Sequence, residues 1–150
     1  MPVRSMQLTT TVVEPGDSRM AADVQPLLHT LRPALTPEAC AAFVTEAHAQ
    51  GLVFLAAYDD ADGRCAGLAT YRVLATSRGR VLFVDDLVTD PGRRSEGIGA
   101  RLWEELESRA ARAGCERLEL DSGVTNGGAH RFYHARGMTV SAFHFASPLR

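Results

Sequence analysis

Val81-Leu82-Phe83-Val84-Asp85-Asp86-Leu87-Val88-Thr89, then Asp90-Pro91-Gly92, then Arg93-Arg94-Ser95-Glu96-Gly97-Ile98-Gly99-Ala100 follow one another without a break. The first run is apolar and β-branched enough for a strand through the middle of a sheet. The second is a turn, and the third places glycines where a helix begins. From there the apolar period changes: Ile98, Leu102, Leu106, Ala110 and Ala113 share one helical face until Gly114 ends it, and Arg117 to Asp121 reads as a short strand. Strand, helix and strand in this order predict a right-handed β-α-β crossover with its two strands parallel.

Upstream, Leu52–Tyr58 and Ala66–Thr76 are strand-like runs joined by the turn Asp59-Asp60-Ala61-Asp62-Gly63, and Ser77-Arg78-Gly79 turns into the central strand, Arg80–Thr89. Three consecutive antiparallel strands follow from this. Gln7–Val13 alternates as a first strand. Asp17 caps a helix running towards Leu31, and Thr36-Pro37-Glu38 opens a second that reaches about Gln50, with Gly51 ending it. Downstream, Gly127–Ala135 reads as a helix stopped by Gly137, and Met138–Phe145 as a last strand. The fold class is therefore α/β: a mixed, mostly antiparallel sheet of about six strands around a β-α-β core. No linker or repeat interrupts it, so one domain over residues 1–150 is expected.

The composition of the 150 residues, 45% hydrophobic and 23% charged, suits one globular core. A net charge of −2 offers no field for nucleic acid or for an anionic membrane surface. All 16 basic residues are arginine, which excludes lysine-based catalysis. Cys40, Cys65 and Cys115 form no C-x-x-C pair and suggest buried thiols rather than disulfides or a zinc knuckle. Without a leader-like apolar run or a membrane span, the cytoplasm is the expected location.

The segment Arg94 to Ala100 reads R-x-x-G-x-G-A at the mouth of a helix. Glycines allow close backbone approach, and the first amides of the helix favour an anion. Arg94, with Arg93 as a second candidate, adds a charge-assisted donor. The dinucleotide fingerprint is not met, since Leu102 stands where its third glycine belongs, and no G-K-[ST] follows.

Further on, Asn126-Gly127-Gly128-Ala129-His130-Arg131-Phe132-Tyr133-His134-Ala135-Arg136-Gly137-Met138 reads N-x-x-A-x-x-F-Y-x-x-x-G-M. Together with the Arg94–Ala100 loop and the order of elements, this closely resembles the GCN5-related N-acetyltransferase (GNAT) family over Gln7 to Phe145. The resemblance implies acetyl-CoA as cosubstrate and a pyrophosphate held by Arg94, Ser95, Gly97, Ile98, Gly99 and Ala100. It implies a pantetheine arm along the main chain of Leu87, Val88 and Thr89, and a cofactor contact from Asn126. Tyr133 matches the tyrosine that returns a proton to the departing thiolate. Self-association as a homodimer is implied by the resemblance alone. Glu96 is a departure, because an acid facing the anion would be unfavourable; it is expected to turn to solvent.

The activity expected is acetyl transfer to a primary amine of a small molecule or peptide by direct attack, with the Val88 amide meeting the oxyanion. A lysine-like amine is only about a thousandth deprotonated near neutral pH, a cost of about 4 kcal/mol, so a base is needed. Asp85 is the first choice, by the family's habit, and Asp86 the second; strict alternation would put them on opposite faces. The competing reading of either acid is an ion pair with an arginine. Cys115, with no histidine arranged around it, argues against an acyl-enzyme. His130 and His134 have metal-ligand spacing but lack a third ligand, and no metal is expected. The alternative to an enzyme is a non-catalytic acyl-CoA-binding regulatory module.

Overall fold

The computed structural model describes residues 6–94 and 96–149. They fall into two compact units, one ending at Glu119 and the other beginning at Leu120.

The first unit is built on a sheet ordered β1-β2-β3-β4-β5, with β1 Leu8–Val12, β2 Val53–Asp59, β3 Cys65–Thr76, β4 Gly79–Thr89 and β5 Arg117–Leu120. The first four strands pair antiparallel in sequence order. β5 returns through helix α3, Ile98–Arg112. The Glu116 amide, just ahead of β5, donates to the Arg80 carbonyl at the start of β4 at 2.8 Å, so both strands begin at the same end, as a parallel step requires.

α1 (Gln25–Leu31) and α2 (Pro37–Ala49) cover one face of the sheet. Val24, Leu27, Leu28, Val44 and Ala47 pack there with Phe54, Ala56, Leu68 and Val88. Burial of each large apolar side chain in this layer contributes roughly 1.5–3 kcal/mol. On the other face, Ile98, Leu102 and Leu106 of α3 are wholly buried. Gly67 makes this packing close: a Cβ there would stand 2.8 Å from Ile98 Cγ2 and 3.1 Å from Leu102 Cδ1.

The expected single helix from Asp17 to Leu31 is divided. Asp17 accepts from the Arg19 amide at 2.8 Å in a turn, Met20–Val24 is a π-helical turn, and α1 proper begins at Gln25. Pro26 is the reason. It lacks the amide that would continue an α-helical ladder, and the Gln25 amide bonds instead to Met20 O, five residues back. α2 starts as its sequence predicts, with Thr36 Oγ1 accepting from Ala39 N at 3.1 Å.

The second unit holds α4, Gly127–Ala135, with the expected bounds. The strand expected at Met138–Phe145 does not form; residues 138–149 adopt neither helix nor strand. The alternation Met138, Val140, Ala142 slips parity at Phe143 and Phe145, so the run has no single apolar face to bury. Val140, Phe143 and Phe145 are exposed. The sheet accordingly has five strands among the described residues.

Candidate functional site

β4 does not alternate through its acids. Thr70 pairs with Asp86 but Tyr71 pairs with Val84, so Asp85 is the extra residue of a β-bulge. Cross-strand partners share a face. Asp86 therefore lies with Thr70 on the α1/α2 face, and Val84 lies with Tyr71 on the α3 face. The bulge lets Asp85 reach the same cavity as Asp86, which corrects the expectation that the two acids face opposite ways.

That cavity has a volume of about 300 Å³. Its apolar wall is Leu28, Leu35, Phe43 and Leu52, and its polar wall is Arg32, Arg72, Asp85 and Asp86. Arg72 Nε donates to Asp85 Oδ2 at 3.1 Å. Asp86 Oδ2 accepts from the buried Thr70 hydroxyl at 2.6 Å, while its Oδ1 has Arg32 Nη2 at 4.0 Å. Asp85 thus carries the arginine pair that was the competing reading of these acids. Thr70, Arg72 and Arg32 were not singled out from sequence. The first two stand at alternate positions in the otherwise apolar run Ala66–Val73, and that spacing is the signal that finds them.

Beyond the bulge β4 is regular. The Asp90 amide donates to Ala66 O at 2.9 Å, and amide direction alternates along a strand. Val88, two residues back and paired with Leu68, therefore turns its amide to β3, which removes it as the oxyanion donor. The amides of Leu87 and Thr89 point away from β3.

Past Thr89 the chain makes a 3₁₀ turn, Pro91–Arg93, with Asp90 Oδ1 accepting from Gly92 N at 3.1 Å. Gly97 then caps α3 at φ +83°, a left-handed conformation that glycine adopts without strain. Among the described residues no side chain caps α3, so its first amides point out of the helix end. Arg94 is exposed beside this end. Arg93 is drawn inward instead: Nη2 bonds to Asp59 Oδ2 at 2.5 Å and to Glu96 Oε1 at 3.2 Å. Glu96 is exposed, and its charge is taken up by Arg93. The buried Arg93 Nη1 finds no acceptor among the described residues. Ser95 lies outside the described residues.

In the second unit, Asn126 Oδ1 caps α4 by accepting from Ala129 N at 3.4 Å. His130 Nε2 lies 2.8 Å from Gly123 O and His134 Nδ1 3.2 Å from Met138 O, so both rings hold local backbone. Tyr133 packs edge-on against Phe132, ring centroids 5.6 Å apart, and burial pushes its phenol above the usual tyrosine value. Among the described residues no three His, Cys, Asp or Glu gather as a metal site. Nor is any helix long and apolar enough to cross a membrane.

A larger hollow of about 400 Å³ lies beside Asp23, Arg64, Cys65 and Asp90. There Asp23 is engaged by the Tyr58 hydroxyl at 2.6 Å, and burial pushes the Cys65 thiol up to about 11. Asp90 there caps the Pro91–Arg93 turn, and the smaller cavity is the one that both carboxylates of β4 line.

The sequence from residue 22 to residue 138 matches the profile of the Acetyltransferase (GNAT) family. This chain belongs to that family. Two relatives share 36% identity with this GNAT protein. One is the uncharacterized N-acetyltransferase YhdJ of Bacillus subtilis (strain 168), over 73 residues, 48% of this chain and 51% of the relative. The other is an aminoalkylphosphonate N-acetyltransferase of Salmonella typhimurium (strain LT2), over 66 residues, 44% of this chain and 43% of the relative. The chain thus matches about half the length of either one. Among solved structures, the aminoglycoside N-acetyltransferase AAC(6')-Iy in complex with CoA superposes with a TM-score of 0.81 at 18% identity, covering 100% of this chain and 99% of that one. An acetyltransferase of Trypanosoma brucei superposes at 0.74 with 25% identity, covering 95% and 100%. These likenesses give this GNAT chain its fold.

Proposed function

We propose that this GNAT protein is an N-acetyltransferase that uses acetyl-CoA to acetylate a primary amine held in the Asp85–Asp86 cavity. The observation that carries the reading is β4 itself, with two carboxylates at a bulge in its middle and, past its end, a long helix entered through the left-handed Gly97. We take the chain to act as one domain, since the family match runs from residue 22 to residue 138 through both units.

The residues fit the cosubstrate. The amides of Ile98, Gly99 and Ala100, with Arg94 and the Gly97 turn, would receive the diphosphate; Arg93, whose buried Nη1 has no acceptor among the described residues, is the second candidate in the same loop. Ser95 shares this role by the family resemblance. Leu87 and Thr89 would offer main-chain amides to the pantetheine arm, with Val88 supporting them from the ladder. Asn126 keeps its amide nitrogen for a cofactor contact while Oδ1 caps α4. Acetyl-CoA supplies the acetyl group as an activated thioester.

The amine must lose a proton, and Asp86 Oδ1 is the carboxylate oxygen we assign to receive it, directly or through water. Asp85, fixed by Arg72, positions the amine and is the second choice as base. Tyr133 retains its phenolic proton at neutral pH, as a donor to a departing thiolate must. The Salmonella relative and AAC(6')-Iy, named for an aminoalkylphosphonate and an aminoglycoside, support an amine acceptor.

Calorimetry with CoA and acetyl-CoA, followed by free-thiol release against a panel of amines, tests the reading. Micromolar binding and amine-dependent release are expected. Binding without release would make the protein a regulatory acyl-CoA module, and absence of binding would end the proposal.

A further inference from the structure

The four charged groups of the β4 cavity are joined unequally. Asp85 and Arg72 hold each other at 3.1 Å, with each side chain about a quarter exposed (28% and 26%). Asp86 and Arg32 stand 4.0 Å apart, beyond hydrogen-bond reach. Their exposures also differ: Asp86 is 12% exposed and anchored by Thr70, whereas Arg32 is 64% exposed at the C-terminal end of α1. One ion pair is therefore closed and the other open, with its cation on a largely exposed side chain.

An ammonium arriving alone at Asp86 would meet the Arg32 guanidinium at close range, where like charges repel. A ligand that carries its own anion avoids this. Its ammonium takes Asp86, its anion takes Arg32, and every charge that loses a partner gains one. The guanidinium fork suits a planar carboxylate or a phosphonate. Leu28, Leu35 and Phe43 leave an apolar wall for the remaining body.

We propose that the acceptor is a small zwitterion with amine and anion at α- or β-amino-acid spacing and an apolar side chain, and that Arg32 selects its anionic group. This rests on the acetyltransferase reading and specifies its substrate class.

Matched pairs test it: phenylalanine against phenethylamine, and leucine against isoamylamine. Binding is measured by calorimetry with CoA present and turnover by thiol release from acetyl-CoA. Wild-type protein should prefer each amino acid by about tenfold or more in kcat/KM, the worth of one charge-assisted contact. Arg32→Ala should collapse that ratio towards one, chiefly through KM, and Arg32→Lys should restore part of it. Preference for the plain amines, no binding of either amino acid, or a ratio unchanged in Arg32→Ala would overturn the inference, while acetyl-CoA binding would leave the acetyltransferase reading intact. If acetyl-CoA itself does not bind, both fall together.

Discussion

Asp85 and Asp86 are adjacent in the chain and line one cavity, yet their partners differ. Asp85 is held by a permanent cation through Arg72 Nε. Asp86 is held by a neutral hydroxyl on one oxygen, and its other oxygen faces Arg32 across a gap. The first arrangement holds a carboxylate against a guanidinium, and the second anchors one by a hydroxyl on a single oxygen. Tyr133 stands at the opposite step of the proposed reaction. Its burial disfavours the phenolate, so the donor form persists up to and beyond the ordinary tyrosine value of about 10 and is lost only as pH rises through the raised value. Any alkaline fall in turnover caused by this group therefore lies above about pH 10. Tyr133→Phe should lower kcat by about a hundredfold, abolish that limb and leave acetyl-CoA affinity unchanged. A pH–rate profile of the two proteins, with calorimetry as control, measures this; equal kcat would remove Tyr133 from the chemistry. The acids were legible in sequence as candidates because charge is rare in a central strand. Their shared face was not, because a bulge depends on the partner strand's register, which one strand's own pattern does not contain.

At the scale of elements, the junction of β3, β4 and α3 is the most closely packed point beside the proposed cosubstrate end. Gly67 leaves no room for a methyl group: Ile98 Cγ2, Leu102 Cδ1 and the Val88 carbonyl all lie within 3.2 Å of where one would stand. Ile98 is branched and Val88 O is backbone, so neither yields easily. Gly67→Ala should cost about 1–3 kcal/mol by overpacking. On the proposed reading it should also weaken CoA binding, since the helix turn that must shift is the one whose amides are proposed to receive the diphosphate. Gly16, with nothing within 4 Å of its added Cβ, is the matched control. Thermal unfolding with and without CoA compares them, and equal effects at both positions would refute the close-packing account. The crossover, the hairpins and α2 were readable because period, turn residues and caps agree locally. The π-turn before Pro26 was not, since a missing amide says that a ladder must change without saying how. Nor was the loss of the strand at Met138–Phe145, whose apolar residues look sufficient until their parity is followed through Phe143.

For the molecule as a whole, burial holds back two of the three thiols. Burial raises Cys40, and it pushes Cys65 up to about 11, which leaves about a thousandth of Cys65 as thiolate at pH 8. Neither is a competent nucleophile near neutrality. Iodoacetamide at pH 8 should leave Cys40 and Cys65 largely unmodified in the native protein and modify both readily in guanidinium chloride. Intact mass and peptide mapping read the result, and rapid native labelling of either thiol would contradict its described environment.

Gly67 and Thr70 belong to one strand, three positions apart. The first sets how near α3 can come, and the second orients the carboxylate proposed to take the proton. If the proposed sites hold, this short extended stretch works as a caliper between the proposed diphosphate grip and the proposed amine site. Lengthening the surface hairpin at residues 60–63 would leave its jaws where they are, whereas one residue added between Gly67 and Thr70 would reset both the gap and the face, and a folded protein would then be out of gauge.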